Sequence, residues 1–219
     1  MARLARIVVP GLPYHVTQRG NGRQRTFFGV EDYALYRDCL AVHCQAAGVE
    51  VWAWCLMPNH VHLILVPPDP DGLRRALAPT HRRYAGHVHA REKRTGHFWQ
   101  GRYGAVAMDE AHLLHAVRYV CLNPVRAGLA ERAGDWPWAS TRAHLLGQED
   151  GITSLPPVRQ RVADFSDLLD DVDEAMFNRL RRAESVGRPL GDGAFIDRIG
   201  VLTGRKVRPG KRGPKPKEG

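Results

Sequence analysis

The chain is poor in everything that would mark a secreted, disulfide-stapled or membrane-embedded protein. It has four cysteines in 219 residues, and none of Cys39, Cys44, Cys55 and Cys121 forms a Cys-x-x-Cys pair. Three of them lie inside apolar runs, where small buried thiols are common. A zinc ribbon and a disulfide framework therefore fit poorly, and a reducing cytoplasm is the expected location. No apolar stretch approaches the ~20 residues of a membrane span, so no membrane partner is expected. Met1 to Pro10 carries basic residues, but its apolar run is only Ile7-Val8-Val9 before Pro10-Gly11 cuts it, which is not a signal-peptide pattern. No repeat recurs at solenoid periods. Acidic residues are in deficit, 23 against 32 Lys and Arg, for a net charge of +9. That excess favours a polyanionic partner, nucleic acid ahead of anionic lipid, with an ordinary basic protein as the plain alternative.

What is present is organised around Met57-Pro58-Asn59-His60-Val61-His62-Leu63-Ile64-Leu65-Val66. A turn opens this stretch and an apolar run closes it. In a strand, side chains alternate between faces. His60 and His62 then project from one face, while Val61, Leu63 and Leu65 point into a core. Two imidazoles on one face are half of a divalent-metal site. Two surface or hydrogen-bonded histidines on an edge strand are the alternative, because a two-ligand spacing is a weak pattern.

Pro13 to Arg19 alternates as a strand, with Tyr14, Val16 and Gln18 on one face and His15, Thr17 and Arg19 on the other. A turn-rich basic loop follows at Gly20 to Arg25. Glu31 to Ala47 reads as a helix whose stripe is Leu35, Cys39, Val42 and Ala46, stopped by Gly48. Val49 to Leu56 is a second strand, with Trp52 and Trp54 on one face, and His60 to Val66 is a third. Asp71 is expected to cap a helix to about Arg91, with Leu73, Leu77, His81, Tyr84 and Val88 at helical spacing. His97 to Met108 is a looser fourth strand whose glycines mark a bulge or a close backbone approach. Asp109 is expected to cap a helix from Glu110 to about Asn123. This order predicts an α+β, ferredoxin-like split βαβ fold. It is a four-stranded antiparallel sheet with helices on one face and the other face available. The helix from Glu110, which carries Tyr119, comes after the fourth strand.

Past Trp138 the composition changes. Residues 164–174 hold six carboxylates in eleven positions, and residues 204–217 hold seven basic ones among Pro and Gly. Such a tail is expected to be flexible when unbound. Glu174 to Arg182 can form a short helix.

On the helix from Glu110, residues advance by about 100° each. Leu113, Leu114, Val117, Val120 and Cys121 form an apolar stripe. Tyr119 lies roughly opposite it, sharing a face with His112 and Asn123. A tyrosine used only for packing belongs in the stripe, so Tyr119 is a candidate for chemistry; an exposed packing ring is the alternative. Asn123 follows four residues later and its amide can complete a metal site with His60 and His62. Pro124 disfavours helical geometry at Asn123, which can equally start an Asn-Pro turn. A tyrosine hydroxyl, with a pKa near 10, needs activation or a more electrophilic target. A divalent metal on two imidazoles and an amide can polarise a phosphodiester. The product of attack is a 5′-phosphotyrosine and a free 3′ hydroxyl.

At this point the motifs combine. Tyr14-His15-Val16-Thr17-Gln18-Arg19-Gly20-Asn21, Leu56-Met57-Pro58-Asn59-His60-Val61-His62-Leu63, Gly101-Arg102-Tyr103, and Arg118-Tyr119-Val120 through Asn123-Pro124-Val125-Arg126-Ala127-Gly128 stand in that order. With them the chain resembles the single-tyrosine HUH transposases of bacterial insertion sequences, in particular the REP-associated tyrosine transposases. The resemblance runs from about Tyr14 to Trp138. It implies that His60 and His62 are the metal-binding pair, that Asn123 stands where a polar third ligand belongs, and that Tyr119 is the nucleophile. It implies cleavage and rejoining of single-stranded DNA near hairpins with Mg²⁺ or Mn²⁺; imidazoles alone would suggest zinc. Monomers and homodimers both occur among such proteins.

Residues 1–148 are thus expected to be the catalytic domain, and residues 149–219 an extension ending in a DNA-holding tail. Arg19, Arg23 and Arg25 beside the first loop, Arg102 and Arg126 flanking the site, and Lys206, Arg208, Lys211, Arg212 and Lys215 in the tail are the expected DNA contacts. Trp99 can stack on an unpaired base, though a core role fits it better. His81, His87, His89 and His97 are expected to be solvated. A non-catalytic nucleic-acid-binding regulator and a phosphodiesterase using water are the rival functions. Intact His60, His62 and Tyr119 weigh against the first.

Overall fold

The structure is a computed structural model that describes residues 6–170 and 173–208. Lys211, Arg212 and Lys215 lie outside the described residues. Strand β1 (Tyr14–Arg19) leads through a basic turn to helix α1 (Val30–Ala47). Strands β2 (Glu50–Met57) and β3 (His60–Val66) form a hairpin, followed by α2 (Gly72–Glu92), β4 (Gly104–Ala107) and α3 (Glu110–Arg126). The strands form one antiparallel sheet in the order β2-β3-β1-β4, the expected split βαβ arrangement.

Alternation along the strands divides the molecule into two cores. Tyr14, Val16, Leu56, Val61, Leu63 and Leu65 face α1 and α2. Cys55, Met57, Ile64 and Val66 face the other way, against α3. That second face is therefore not left open: the apolar stripe of α3 lies on it, with Leu113, Val117, Val120 and Cys121 all fully buried.

Several local expectations change. A register shift between Val51 and Ala53 puts Trp52 in the second core and Trp54 in the first, so the two tryptophans do not share a face. A bulge reverses alternation where it inserts a residue. On α1 the buried stripe is Tyr33, Tyr36, Leu40, Cys44 and Ala47, while Val42 is exposed. Both stripes have helical spacing; the one carrying two tyrosines buries more area against the sheet. Gly48 does end α1, at φ 65. Asp71 does not cap α2 with its side chain but pairs with Arg74 at 2.6 Å. Asp109 caps α3 as expected, accepting from the His112 amide at 2.9 Å. α3 runs through Pro124 to Arg126, keeping Asn123 helical. So close to the C-terminal end, the proline forfeits one ladder bond without ending the helix.

The fourth strand is shorter than expected because Gly101 turns the chain at φ 64. Gly104 is a place of close approach: a Cβ there would sit 3.0 Å from Thr17 Oγ1 and 3.4 Å from the Glu184 carbonyl.

The extension adds α4 (Thr141–Leu146), α5 (Pro156–Arg159), α6 (Phe165–Asp170), α7 (Glu174–Val186) and α8 (Gly193–Thr203). Val158, Phe165, Leu168, Phe177 and Leu180 join the second core; Phe195, Ile199 and Val207 join the first. Among the described residues the packing of both cores therefore continues across position 148. Asp173 starts α7, accepting from the Met176 amide at 2.9 Å, and Gly187 stops it at φ 74. Among the described residues no helix is long and apolar enough to cross a membrane.

Candidate active site

β1 and β3 pair so that Arg19 lies opposite His60 and Thr17 opposite His62. The face carrying His60 and His62 therefore also carries His15, Thr17 and Arg19. The two histidines of the pair stand with ring centroids 4.7 Å apart, at 79°. His60 is half-buried, and its Nδ1 lies 2.6 Å from Asn59 Oδ1. His62 is fully buried. Its Nδ1 lies 3.0 Å from His15 Nε2, and the two rings stack at 5.1 Å.

α3 brings Tyr119 to the same place. Its ring meets His62 edge-on at 5.3 Å and His15 at 5.8 Å. The expected open face of α3 is covered here, and Tyr119 is only 2% exposed. The cover is α7: Phe177 packs on the tyrosine ring at 5.2 Å, and Arg181 Nε donates to Tyr119 Oη at 3.4 Å. Asn123 lies one turn on, its amide Nδ2 donating to the Tyr119 carbonyl at 3.3 Å.

Glu184, also on α7, completes the cluster. Its Oε1 is 3.6 Å from His15 Nδ1 and 4.0 Å from His62 Nδ1, and its Oε2 is 3.4 Å from Arg19 Nη2. Burial pushes the His15 and His60 imidazoles down to about 3, helped by the Arg19 cation, and holds His62 well below the usual histidine range. All three are thus neutral near pH 7, the form in which imidazole binds a metal. Burial raises the Glu184 carboxyl to about 7, against the pull of Arg19. His15 Nδ1, His62 Nε2 and Glu184 Oε1 are buried and have no hydrogen-bond partner among the described residues. Three such atoms on neighbouring side chains fit a bound cation, which would satisfy them together.

A groove of about 830 Å³ adjoins this cluster, lined by His60, Glu184, Arg19, Arg23, Arg102 and Arg181. Of the expected DNA contacts, Arg19, Arg23 and Arg102 are therefore at the site. Arg25 instead donates to the Phe27 carbonyl at 2.7 Å. Arg126 pairs with Glu174 and lies over the Phe177 ring at 4.7 Å, bracing α7. Arg208 pairs with Asp197 at 2.6 Å, and Lys206 is exposed. His81 is not solvated: it is buried, with Nε2 3.0 Å from the Tyr36 hydroxyl, and Trp99 donates to its carbonyl at 3.0 Å.

Sequence reasoning missed His15, Arg181 and Glu184 as members of the site. His15 had a signal, its place on the His-side face of β1. Arg181 and Glu184 had none, because their helix reaches the site only through tertiary packing.

The family described as IS200-like transposase matches residues 8–123. A Haemophilus influenzae protein, provisionally named a REP-associated tyrosine transposase, is 26% identical over 132 residues, which is 54% of this chain and 74% of that protein. The REP-associated tyrosine transposase of Escherichia coli K12 is 26% identical over 109 residues, 49% of this chain and 64% of its own length. A solved structure of a REP-associated tyrosine transposase bound to a REP hairpin aligns with a TM-score of 0.59 at 21% identity, covering 69% of this chain and 90% of that one. At that identity the likeness speaks for the fold.

Proposed function

The chain belongs to the IS200-like transposase family, and we propose that it cuts and rejoins single-stranded DNA beside hairpins, of the REP type, through a covalent bond to Tyr119. The observation that carries this reading is the Tyr119 ring set edge-on against His62, 5.3 Å away, with its hydroxyl bonded by Arg181, one of the four arginines that line the adjoining groove. Binding alone requires neither group there.

Arg19, Arg23 and Arg102 hold the strand by its phosphates, as point and fork donors do in other polyanion sites. The strand's path to Tyr119 Oη passes Arg181, which lines the groove and already touches that oxygen. Tyr119 Oη attacks phosphorus and gives its proton to water. The bond to the 3′ oxygen breaks and that oxygen takes a proton from water, giving a 5′-phosphotyrosine and a 3′ hydroxyl. Arg181 stabilises the phenolate, both as it forms and when the strand is rejoined. His60 and His62 would hold a divalent cation, Mg²⁺ or Mn²⁺, with Asn123 as the third donor implied by the family resemblance. Such a cation supplies Lewis-acid polarisation of the phosphodiester. The Tyr119 ring lying against His62 of its own chain supports attack by the tyrosine of the chain that holds the histidines.

The test mixes the protein with labelled single-stranded DNA carrying hairpins, with Mn²⁺ or with chelator, and reads covalent adduct on a denaturing gel. Adduct is expected in wild type with Mn²⁺ and is expected to be absent from Tyr119→Phe and His60→Ala. Cleavage that survives Tyr119→Phe would show that water is the nucleophile.

A further inference from the structure

The lining of the groove includes a carboxyl that the tyrosine chemistry does not explain. Glu184 is 8% exposed, and its Oε1 has no hydrogen-bond partner among the described residues. An oxygen sealed from water in that way is costly unless another group takes up the interaction. The other oxygen of the same carboxyl is accounted for by Arg19, 3.4 Å away. Facing the orphaned one are His15 Nδ1 at 3.6 Å and the ring of His62, whose Nδ1 is 4.0 Å away and whose Nε2 is also without a partner. One donor atom from each of the three residues lies within 4.8 Å of the others.

Those separations suit a cation. Nitrogen and oxygen donors bonded to a divalent ion at about 2.0–2.2 Å sit roughly 3.0–3.6 Å from one another. The 3.0 Å contact of His15 Nε2 with His62 Nδ1 is a hydrogen bond between the two rings, so the measure for a cation is the 4.8 Å within which the three donors lie, which must close by about 1 Å around one ion. Asn123 offers less. Its amide is turned back onto its own helix, 3.3 Å from the Tyr119 carbonyl, and a neutral amide is a weaker donor to a hard cation than a carboxylate.

We propose that Glu184 is a protein ligand of the divalent cation at His62, so that α7, from beyond the stretch matched by the family, completes the metal site. The proposal rests on the metal-dependent reading above and replaces its third donor. His15 is a positioning residue: its Nε2 fixes the His62 ring and its Nδ1 faces Glu184. Histidine ligands are commonly oriented by such a partner. Phe177, Arg181 and Glu184 fall on one face of α7, at spacings of four and three. The helix that carries the ligand therefore also covers the Tyr119 ring and bonds its hydroxyl, and binding of the cation ties these together.

The experiment titrates Mn²⁺ into the full chain without DNA, following free Mn²⁺ by electron paramagnetic resonance, for wild type, Glu184→Gln, Asn123→Ala and His62→Ala. Thermal melts in chelator check that each variant is folded, and the isosteric Glu184→Gln keeps the volume of the side chain. Glu184→Gln is expected to weaken Mn²⁺ binding by at least 10-fold, and the Mn²⁺-induced rise in melting temperature is expected to shrink with it. His62→Ala is expected to lose binding. Wild-type affinity in Glu184→Gln alongside loss in His62→Ala overturns the proposal and leaves the transposase mechanism standing. Loss in Asn123→Ala with none in Glu184→Gln overturns it in favour of the amide ligand. Unchanged Mn²⁺ affinity with faster adduct formation in Glu184→Gln overturns it too, because Glu184 would then be a plug. A wild type that binds no Mn²⁺ and forms no adduct brings down the metal-dependent reading itself.

Discussion

Metal-free stability should fall steeply on mild acidification, because this protein buries several histidines in the neutral state. His15, His60 and His81 are pushed down to about 3 by burial, and His62 lies well below the usual histidine range. In the unfolded chain each titrates near 6.5. Their stabilising effect is complete above that pH and is lost as the pH falls from about 6.5 toward 3, since only the unfolded state takes up the protons. At pH 5.5 His15, His60 and His81 each cost on the order of 1 kcal/mol relative to pH 8, and His62 acts in the same direction. Glu184 opposes this. Its carboxyl is raised to about 7, so it gains a proton in the folded state first and returns about 2 kcal/mol over the same range. The net loss is on the order of 2–4 kcal/mol, a large fraction of the 5–15 kcal/mol typical of a domain. Urea titrations in chelator, followed by tryptophan fluorescence, should show the midpoint falling by about 1–2 M between pH 8 and 5.5, taking a slope near 2–3 kcal/mol/M. In His81→Gln the pH dependence should shrink by about one proton. A midpoint that does not move over this range would refute the picture of neutral, buried imidazoles.

Three further perturbations follow from the same geometry. Asp32 is buried, accepts from the Phe28 amide at 2.8 Å and binds Arg91 through both oxygens, so Arg91→Ala should cost about 3–5 kcal/mol by stranding the carboxylate; urea unfolding at pH 8 checks it. Gly48 ends α1 at φ 65, so Gly48→Ala should cost about 1 kcal/mol, and a thermal melt that does not shift would contradict the left-handed cap. Arg23→Ala and Arg102→Ala should each lower the slope of log affinity against log salt for a hairpin-bearing single strand by about 0.7, read by fluorescence anisotropy. Loss of affinity with an unchanged salt slope would mean that these arginines do not meet phosphates.

Much of this protein is determined by short-range patterns. Alternation in β1 and β3, the Pro58-Asn59 turn, the Asp109 cap and the Gly48 stop suffice to place four strands and three helices in order, because each is decided by backbone preference within a few residues. The same alternation puts His60 and His62 on one face, and helical periodicity places Tyr119 one turn before Asn123. What tertiary structure alone decided is which surfaces meet. The bulge that separates Trp52 from Trp54 and the choice of Tyr33 and Tyr36 over Leu35 and Val42 depend on the area buried between elements. Register between β1 and β3 sets His15 against His62, although neither strand encodes its partner. α7 carries no trace of its destination in its own sequence. Only the close approach allowed by Gly104 and the shared core of α3, α6 and α7 bring Phe177, Arg181 and Glu184 onto the tyrosine and the histidines. Local sequence specifies the shape of each element; the free energy of burying their faces together specifies the site.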